Sequence, residues 1–323
     1  MGKTLLKAAA LCCGFFFVAV QAKEILPESG LLGDTARRLL ILDGFTLGNR
    51  TVAVGDRGYI VYTEDGGSTW TRAKAPPAPV LTAVHFPDAK NGWAVGHDSV
   101  ILASQDGGAT WTQQFSAPAE QRPLLDVLMM DARTGIAVGA YGAYYETADG
   151  KAWNARKVLE DDKHLNAIVK LPDGKLVILG EAGTILVSAD VGKTWQPVTS
   201  PYKGSLFGGV VAGDNAIVAF GLRGRIYRST DAGKTWKQVD NASQATLMGG
   251  TRLPDGAIVL AGAAGTALVS RDHGQSFQPI STGTTRAFSN ALIGGPNAVL
   301  LLGEGGARSV TLSLGRGQAE GRK

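Results

Sequence analysis

Six aspartates recur along this chain at nearly fixed intervals: Asp65, Asp106, Asp149, Asp190, Asp231 and Asp272. Paired carboxylates do general acid–base work, and two flanking a glycosidic bond can hydrolyse it. Repetition argues against that role here, because a group needed six times belongs to a scaffold more readily than to one active site. A second set with chemical potential is Tyr145 beside Glu146, together with arginines at Arg57, Arg122, Arg223, Arg225 and Arg286. A tyrosine activated by a glutamate, arginines for a substrate carboxylate and an acid/base aspartate would cleave the glycoside of an acidic sugar. Adjacent residues of a strand point to opposite faces, however, so Tyr145 and Glu146 would diverge. Nothing in the spacing of the arginines forces them together.

Other chemistry finds little support. His85, His97, His164 and His273 are scattered, with no zinc-like spacing. The acidic run Glu160-Asp161-Asp162 reads as a solvated loop. Gly-x-x-Gly segments occur without the strand–loop–helix context of a phosphate loop. No metal and no cofactor is expected.

The N-terminus bears the marks of export. Lys3 and Lys7 precede the apolar stretch Ala8 to Val20, and Val20-Gln21-Ala22 offers a small-residue cleavage site. The stretch is short for a transmembrane helix. Residues 1–22 are therefore expected to be a signal peptide, with the mature chain in the periplasm or, in a phototroph, the thylakoid lumen. The only two cysteines, Cys12 and Cys13, fall inside it, so the mature chain has no disulfide framework and no thiolate metal site. Losing Lys3 and Lys7 leaves 30 basic and 28 acidic residues, a charge of +2. With no basic run interleaved with aromatics, nucleic-acid binding has no support and no nucleic-acid partner is expected.

The elements that position these groups follow from the repeat. Each aspartate sits in the pattern Ser/Thr-x-Asp-x-Gly-x-Ser/Thr-Trp: Thr63 to Trp70, Ser104 to Trp111, Ser188 to Trp195, Ser229 to Trp236, and Ser270 to Phe277. A shortened copy runs from Thr147 to Trp153, where Lys151 stands in place of the glycine. The closing aromatics are 41 or 42 residues apart. A period of that size means a solenoid, a propeller or an array. Within one period, Val80 to Phe86, Gly92 to Gly96, Val100 to Ser104 and Thr110 to Phe115 read as four short strands separated by turn residues. Four antiparallel strands per period is the size of a propeller blade.

The turn between strands two and three counts the blades. It falls at Gly55–Gly58, Gly96–Ser99, Gly139–Gly142, Gly180–Gly183, Gly221–Gly224, Gly262–Gly265 and Gly303–Gly306. Seven turns predict an all-β, seven-bladed β-propeller over residues 40–314. The last blade has no octapeptide and no clear fourth strand. A ring must close to remove its exposed edges, so residues 23–39 are expected to hold the closing strand, at about 23 to 30. Residues 315–323 read as a disordered tail. In each octapeptide the aspartate is expected to accept backbone N–H bonds and fix the hairpin between strands three and four.

These octapeptides resemble the Asp-box, or bacterial neuraminidase repeat, which occurs in sialidases, other glycosidases and non-enzymatic propellers. It implies architecture rather than a reaction. A narrower resemblance covers nearly all of the mature chain. Leu81–Gly96 with Ile101–Trp111, and residues 51 to 70, are similar to the photosystem II assembly and stability factor family. That resemblance implies an exported seven-bladed propeller that assists assembly of a membrane complex, hence a binding scaffold and not a catalyst. The implied partner is a membrane-protein complex, photosystem II in a phototroph and otherwise an envelope transporter or another periplasmic complex. The chain departs from the family in lacking a convincing lipobox and a chloroplast transit peptide. A carbohydrate-active propeller with a sugar ligand is the alternative, and a monomer is expected in either case.

In a propeller of this layout the strand two–three turns and the blade-to-blade links share one face. The non-repeating residues there are the candidates for partner binding: Arg57, His97, Asp98, Tyr141, Arg223 and Arg225 from the turns, and Arg122, Tyr202, Lys203 and Arg286 from the links. Arginine and tyrosine are favoured interface anchors.

Overall fold

A computed structural model of the chain describes residues 30–32, 38–295 and 297–312. The expected signal peptide, residues 23–29 and the expected tail lie outside the described residues. The rest forms seven antiparallel sheets arranged as the blades of a β-propeller. Blades two to six each have four strands, blade one has five and blade seven has three.

The blades are held by apolar seams. In blades two to six the second strand is a short apolar run buried from end to end, such as Gly92–Gly96, Leu176–Gly180 and Ile258–Gly262. Such runs suit strands covered on both faces. Seven hydrophobic clusters result, one between each pair of neighbouring blades. Burial of each Leu or Ile in such a seam contributes about 1.5–3 kcal/mol.

The octapeptides form the loops between strands three and four. In blade two, Ser104 Oγ donates to Asp106 Oδ1 at 2.9 Å and accepts the Gly108 N–H at 2.9 Å. Asp106 in turn accepts the Thr110 N–H and hydroxyl at 2.9 and 2.6 Å. The same bonds recur around Asp65, Asp190, Asp231 and Asp272. Each such loop rests on the blade before it. A β-carbon at Gly108, Gly192, Gly233 or Gly274 would lie 2.3–3.0 Å from Val52, Ile136, Val177 or Val218 of the preceding blade. Gly67 of blade one meets Leu300 of blade seven in the same way, so the repeat itself spans the closure. The shortened copy differs. Asp149 accepts the Lys151 and Ala152 N–H groups, and Gly150 abuts Ala132 of its own blade.

The closing strand expected at about residues 23 to 30 lies outside the described residues except for Gly30. The described end of the N-terminal segment, Gly30–Leu31, does not complete blade seven. It pairs with Thr71–Arg72 as a fifth strand on blade one. The chain still seals the last seam, because Leu32 and Leu39 pack with Leu292, Leu300 and Leu302 of blade seven. The Gly305 N–H donates to the Leu39 carbonyl. Ser289 Oγ donates to the Ile41 carbonyl at 2.7 Å, and Asn290 Nδ2 to Asp43 Oδ1 at 2.6 Å. Blade seven itself keeps only Phe288–Gly295, Ala298–Gly303 and Gly306–Thr311.

Candidate functional site

Backbone bonds fix which loops share a face. The turn between strands two and three opens with an N–H that donates to the residue just before its own blade's first strand, as His97 does to Val80 and Leu222 to Ser205. Two residues on, the turn meets the link to the next blade: the Gly142 N–H bonds Lys163, and the Gly183 N–H bonds Gly204. Turns and links therefore form one continuous rim. The central residue of six turns has φ between 52° and 58°: Arg57, Asp98, Tyr141, Ala182, Arg223 and Ala264. Left-handed backbone is uncommon for residues with a side chain. Every one of these side chains is exposed, so the face displays a ring of fixed, outward-facing positions.

The ten candidate residues fall into separate groups on that face. Arg122 and Tyr141 line one cavity of about 400 Å³ at blade three, with Glu120, Tyr145, Arg156 and Lys157. His97 and Asp98 sit on the neighbouring turn, where the Asp98 carbonyl accepts the Ala117 N–H at 2.8 Å, and the segment after Ala117 carries Glu120 and Arg122. Tyr202 reaches across to blade five, where its hydroxyl donates to the Leu222 carbonyl at 3.1 Å and its ring stacks on Tyr227 at 5.5 Å. Lys203, Arg223 and Arg225 surround that stack in sequence, and all three are exposed. Arg57 stands apart on blade one, 3.8 Å from Asp56. Arg286 lines a second cavity, of about 260 Å³, at blade seven.

The blade-three cavity has the richest chemistry. Tyr141 is half exposed, and its ring meets His164 edge-on at 4.9 Å. Tyr145 donates its hydroxyl to Glu120 Oε2 at 2.8 Å, and burial raises its pKa. Ser99 Oγ fixes the base of Arg122 by donating to its carbonyl at 2.7 Å. Arg156 is committed to structure: it pairs with Glu146 at 3.0 Å, donates to Tyr144 Oη at 2.8 Å and bonds the Lys193 carbonyl of blade four. Tyr145 and Glu146 thus serve different partners, and the glycosidase constellation is not assembled from them.

The central channel gives the same answer. It has a volume of about 180 Å³ and is lined by first-strand residues together with Phe220 of a second strand, with no arginine among those described. It does hold two aspartates that the sequence reading passed over. Asp43 accepts the Val84 N–H at 2.8 Å, and Asp126 accepts the Ile168 N–H at 2.7 Å, each from the next blade. Burial pushes Asp43 up to about 6 and Asp126 up to about 7. The available signal was positional: both follow two apolar residues at the start of a first strand, where the register shifts. No cluster of three His, Cys, Asp or Glu residues suited to a metal occurs among the described residues.

Fold and face together define a closed seven-bladed β-propeller with a rim of fixed turns suited to binding. Its sequence matches the family described as photosynthesis system II assembly factor YCF48 over residues 37–115 and 113–259, and the chain belongs to that family. A solved structure described as YCF48 bound to D1 peptide is 22% identical, with a TM-score of 0.69 over 88% of this chain and 96% of that one. YCF48 from Cyanidioschyzon merolae is 16% identical, with a TM-score of 0.66 over 85% and 96%. The WD40 propeller domain of Doa1, at 12% identity and a TM-score of 0.68 over 84% and 92%, has the same fold. No curated protein matches the chain. At these identities the solved structures establish the fold alone.

Proposed function

We propose that this chain is an exported, non-catalytic scaffold that holds an extended segment of a membrane protein on its turn-and-link face and so assists assembly of a membrane complex of the photosystem II kind. Membership of the assembly-factor family supports this reading, as does a structural relative described as bound to a D1 peptide. The observation that carries it is the cavity of about 400 Å³ at blade three, where Arg122 and Tyr141 converge with Glu120 and Tyr145. An arginine can grip a peptide carboxylate in bidentate fashion. An exposed tyrosine held on a fixed backbone offers contact area with little entropy left to lose. In this reading the octapeptide aspartates are structural Asp-boxes, and the binding residues are those that break the repeat.

The test uses tagged mature chain beginning at Lys23, with capture of the complex from gently solubilised membranes of the native host. Wild type should recover a specific complex, D1-containing in a phototroph. The double variant Arg122→Glu/Tyr141→Ala should lower recovery about tenfold, the loss expected for removing two anchors. Arg223→Glu/Arg225→Glu tests the Tyr202 group in the same assay. Undiminished recovery from both double variants would overturn this face as the binding surface.

A further inference from the structure

Six blades show what an outer strand supplies. It pairs with the first residue of the third strand: the Ala73 N–H donates to the Ile60 carbonyl, Val198 to Ile185 and Ile280 to Ala267. It also brings an apolar side chain beneath the rim, namely Ala73, Phe115, Val198, Val239 and Ile280 in blades one, two, four, five and six. In blade seven the matching third-strand residue is Ala307, opposite Leu302 as Ala267 is opposite Ala261. Strand alternation turns the backbone groups of Ala307, Ser309 and Thr311 outward. Leu312, in the other phase, donates inward to the Asn297 carbonyl. No described strand pairs with that outer edge. Beside it lies the cavity of about 260 Å³, its apolar wall formed by Phe288, Leu301 and Ala307 and its polar wall by Arg286, Arg308 and Glu304.

We propose that Gly306–Thr311 is a second binding site, which takes an extended segment of a partner protein as its fourth strand. This rests on the reading of the chain as a binder of extended segments. The segment's backbone would bond to Ala307 and Ser309. One branched apolar side chain would fill the cavity, as Val198 and Ile280 do in their blades, and acidic residues would face Arg286 and Arg308. Strand addition to a free edge is an established mode of peptide capture. Residues 313–323 suit the edge poorly. They carry three glycines, three basic residues and one acidic residue, Glu320, a net positive charge like that of Arg286 and Arg308 on this wall.

The test is titration of a fluorescein-labelled decapeptide of alternating valine and glutamate, with amide hydrogen exchange followed at Ser309. The peptide should bind the full mature chain, and its addition should slow exchange at Ser309. Ser309→Pro removes an outward N–H on an edge strand, where proline is tolerated. It should weaken binding about tenfold while the thermal midpoint stays close to wild type. If that variant fails to fold, Arg286→Glu should weaken binding several-fold. Unchanged affinity in a folded Ser309→Pro, or in Arg286→Glu where the proline variant fails, overturns the site. So does failure of wild type to bind. A Ser309 amide already protected in the free chain also overturns it, because the chain's own residues then cover the edge. The capture assay with Arg122→Glu/Tyr141→Ala reads the blade-three site and slowed exchange at Ser309 reads this one, so failure of the one reading is distinguishable from failure of the other.

Discussion

Replacing Gly274 by alanine probes how the octapeptide loops join one blade to the next. Gly274 has φ +79°, and a β-carbon there would lie 2.3 Å from Val218 Cγ2. Two costs add. Left-handed backbone costs an alanine about 1–2 kcal/mol, and forcing a methyl into a packed seam costs about 1–3 kcal/mol. Gly174→Ala isolates the first cost, since Gly174 has φ +86° with nothing within 4 Å of the added carbon. Gly174→Ala should therefore lose about 1–2 kcal/mol, and Gly274→Ala about 2–5 kcal/mol. Val218→Ala removes the facing methyls and carries a cavity cost of its own. In the double variant the crowding is relieved, so the two losses should fall short of additivity by about 1–2 kcal/mol. The assay is urea unfolding followed by tryptophan fluorescence, with stability compared at constant m. Equal losses at Gly274 and Gly174, or a cycle additive to within about 0.5 kcal/mol, would refute the view that the loop rests on the preceding blade.

Three further outcomes are expected. Gln114 Oε1 accepts the indole N–H of both Trp93 and Trp153 at 3.2 Å, and its Nε2 donates to the Gly150 carbonyl at 2.9 Å. Gln114→Ala should thus cost about 2–4 kcal/mol in the same unfolding assay, and an unchanged midpoint would remove this bridge from the seam. Asp231→Ala frees the Thr235 N–H and hydroxyl and should cost about 1–2 kcal/mol; a neutral result would remove the carboxylate from the turn's framework. The third outcome is pH dependence. Asp43 and Asp126 are raised to about 6 and 7 by burial, so the stability tied to their protonated forms is full below about 4 and lost as pH rises through 6 and 7. Asp65 and Asp190 are lowered to about 2 by hydrogen bonds, Asp65 first by the Thr69 hydroxyl and Asp190 first by the Thr194 N–H. Their contribution is full above about 4 and lost as pH falls towards 2. Urea midpoints should peak near about pH 4 to 5, and Asp126→Asn should flatten the alkaline side. A wild-type midpoint level from pH 5 to 8 would contradict burial of both channel carboxylates.

What the sequence discloses here depends on whether a feature repeats. Blade number, strand order and the shared face of turns and links all follow from signals that recur seven times, such as Gly139–Gly142 and Gly180–Gly183. The place of Gly30–Leu31 does not, because a two-residue pairing carries no pattern that selects one outer edge over another, and blades one and seven are neighbours. Asp43 and Asp126 offered only a weak positional signal for a related reason: a single polar residue in an apolar strand looks like ordinary alternation until a register shift aims it at the next blade. Arg122 and Tyr141 could be singled out as departures from the repeat, but their meeting with Glu120 and Tyr145 is set by the path of a link and has no local signature.

The departures themselves follow a rule. Blade three has the shortened octapeptide, and its glycine, Gly150, faces Ala132 of its own blade and not an apolar side chain of the preceding one. Gln114 instead ties the two together, and Arg156 braces Tyr144 against blade four. Blade seven has no octapeptide and no described outer strand, and its seam is sealed by Leu32 and Leu39 from the other end of the chain. The cavities of about 400 and 260 Å³ lie on these two blades. Where local sequence breaks a repeat while the ring stays closed, compensating contacts must hold the fold. Such places are where function is expected. The five regular octapeptides stabilise the ring; the two irregular blades give it surfaces that differ from their neighbours, which is the minimum a partner needs to choose one orientation on a nearly symmetric ring.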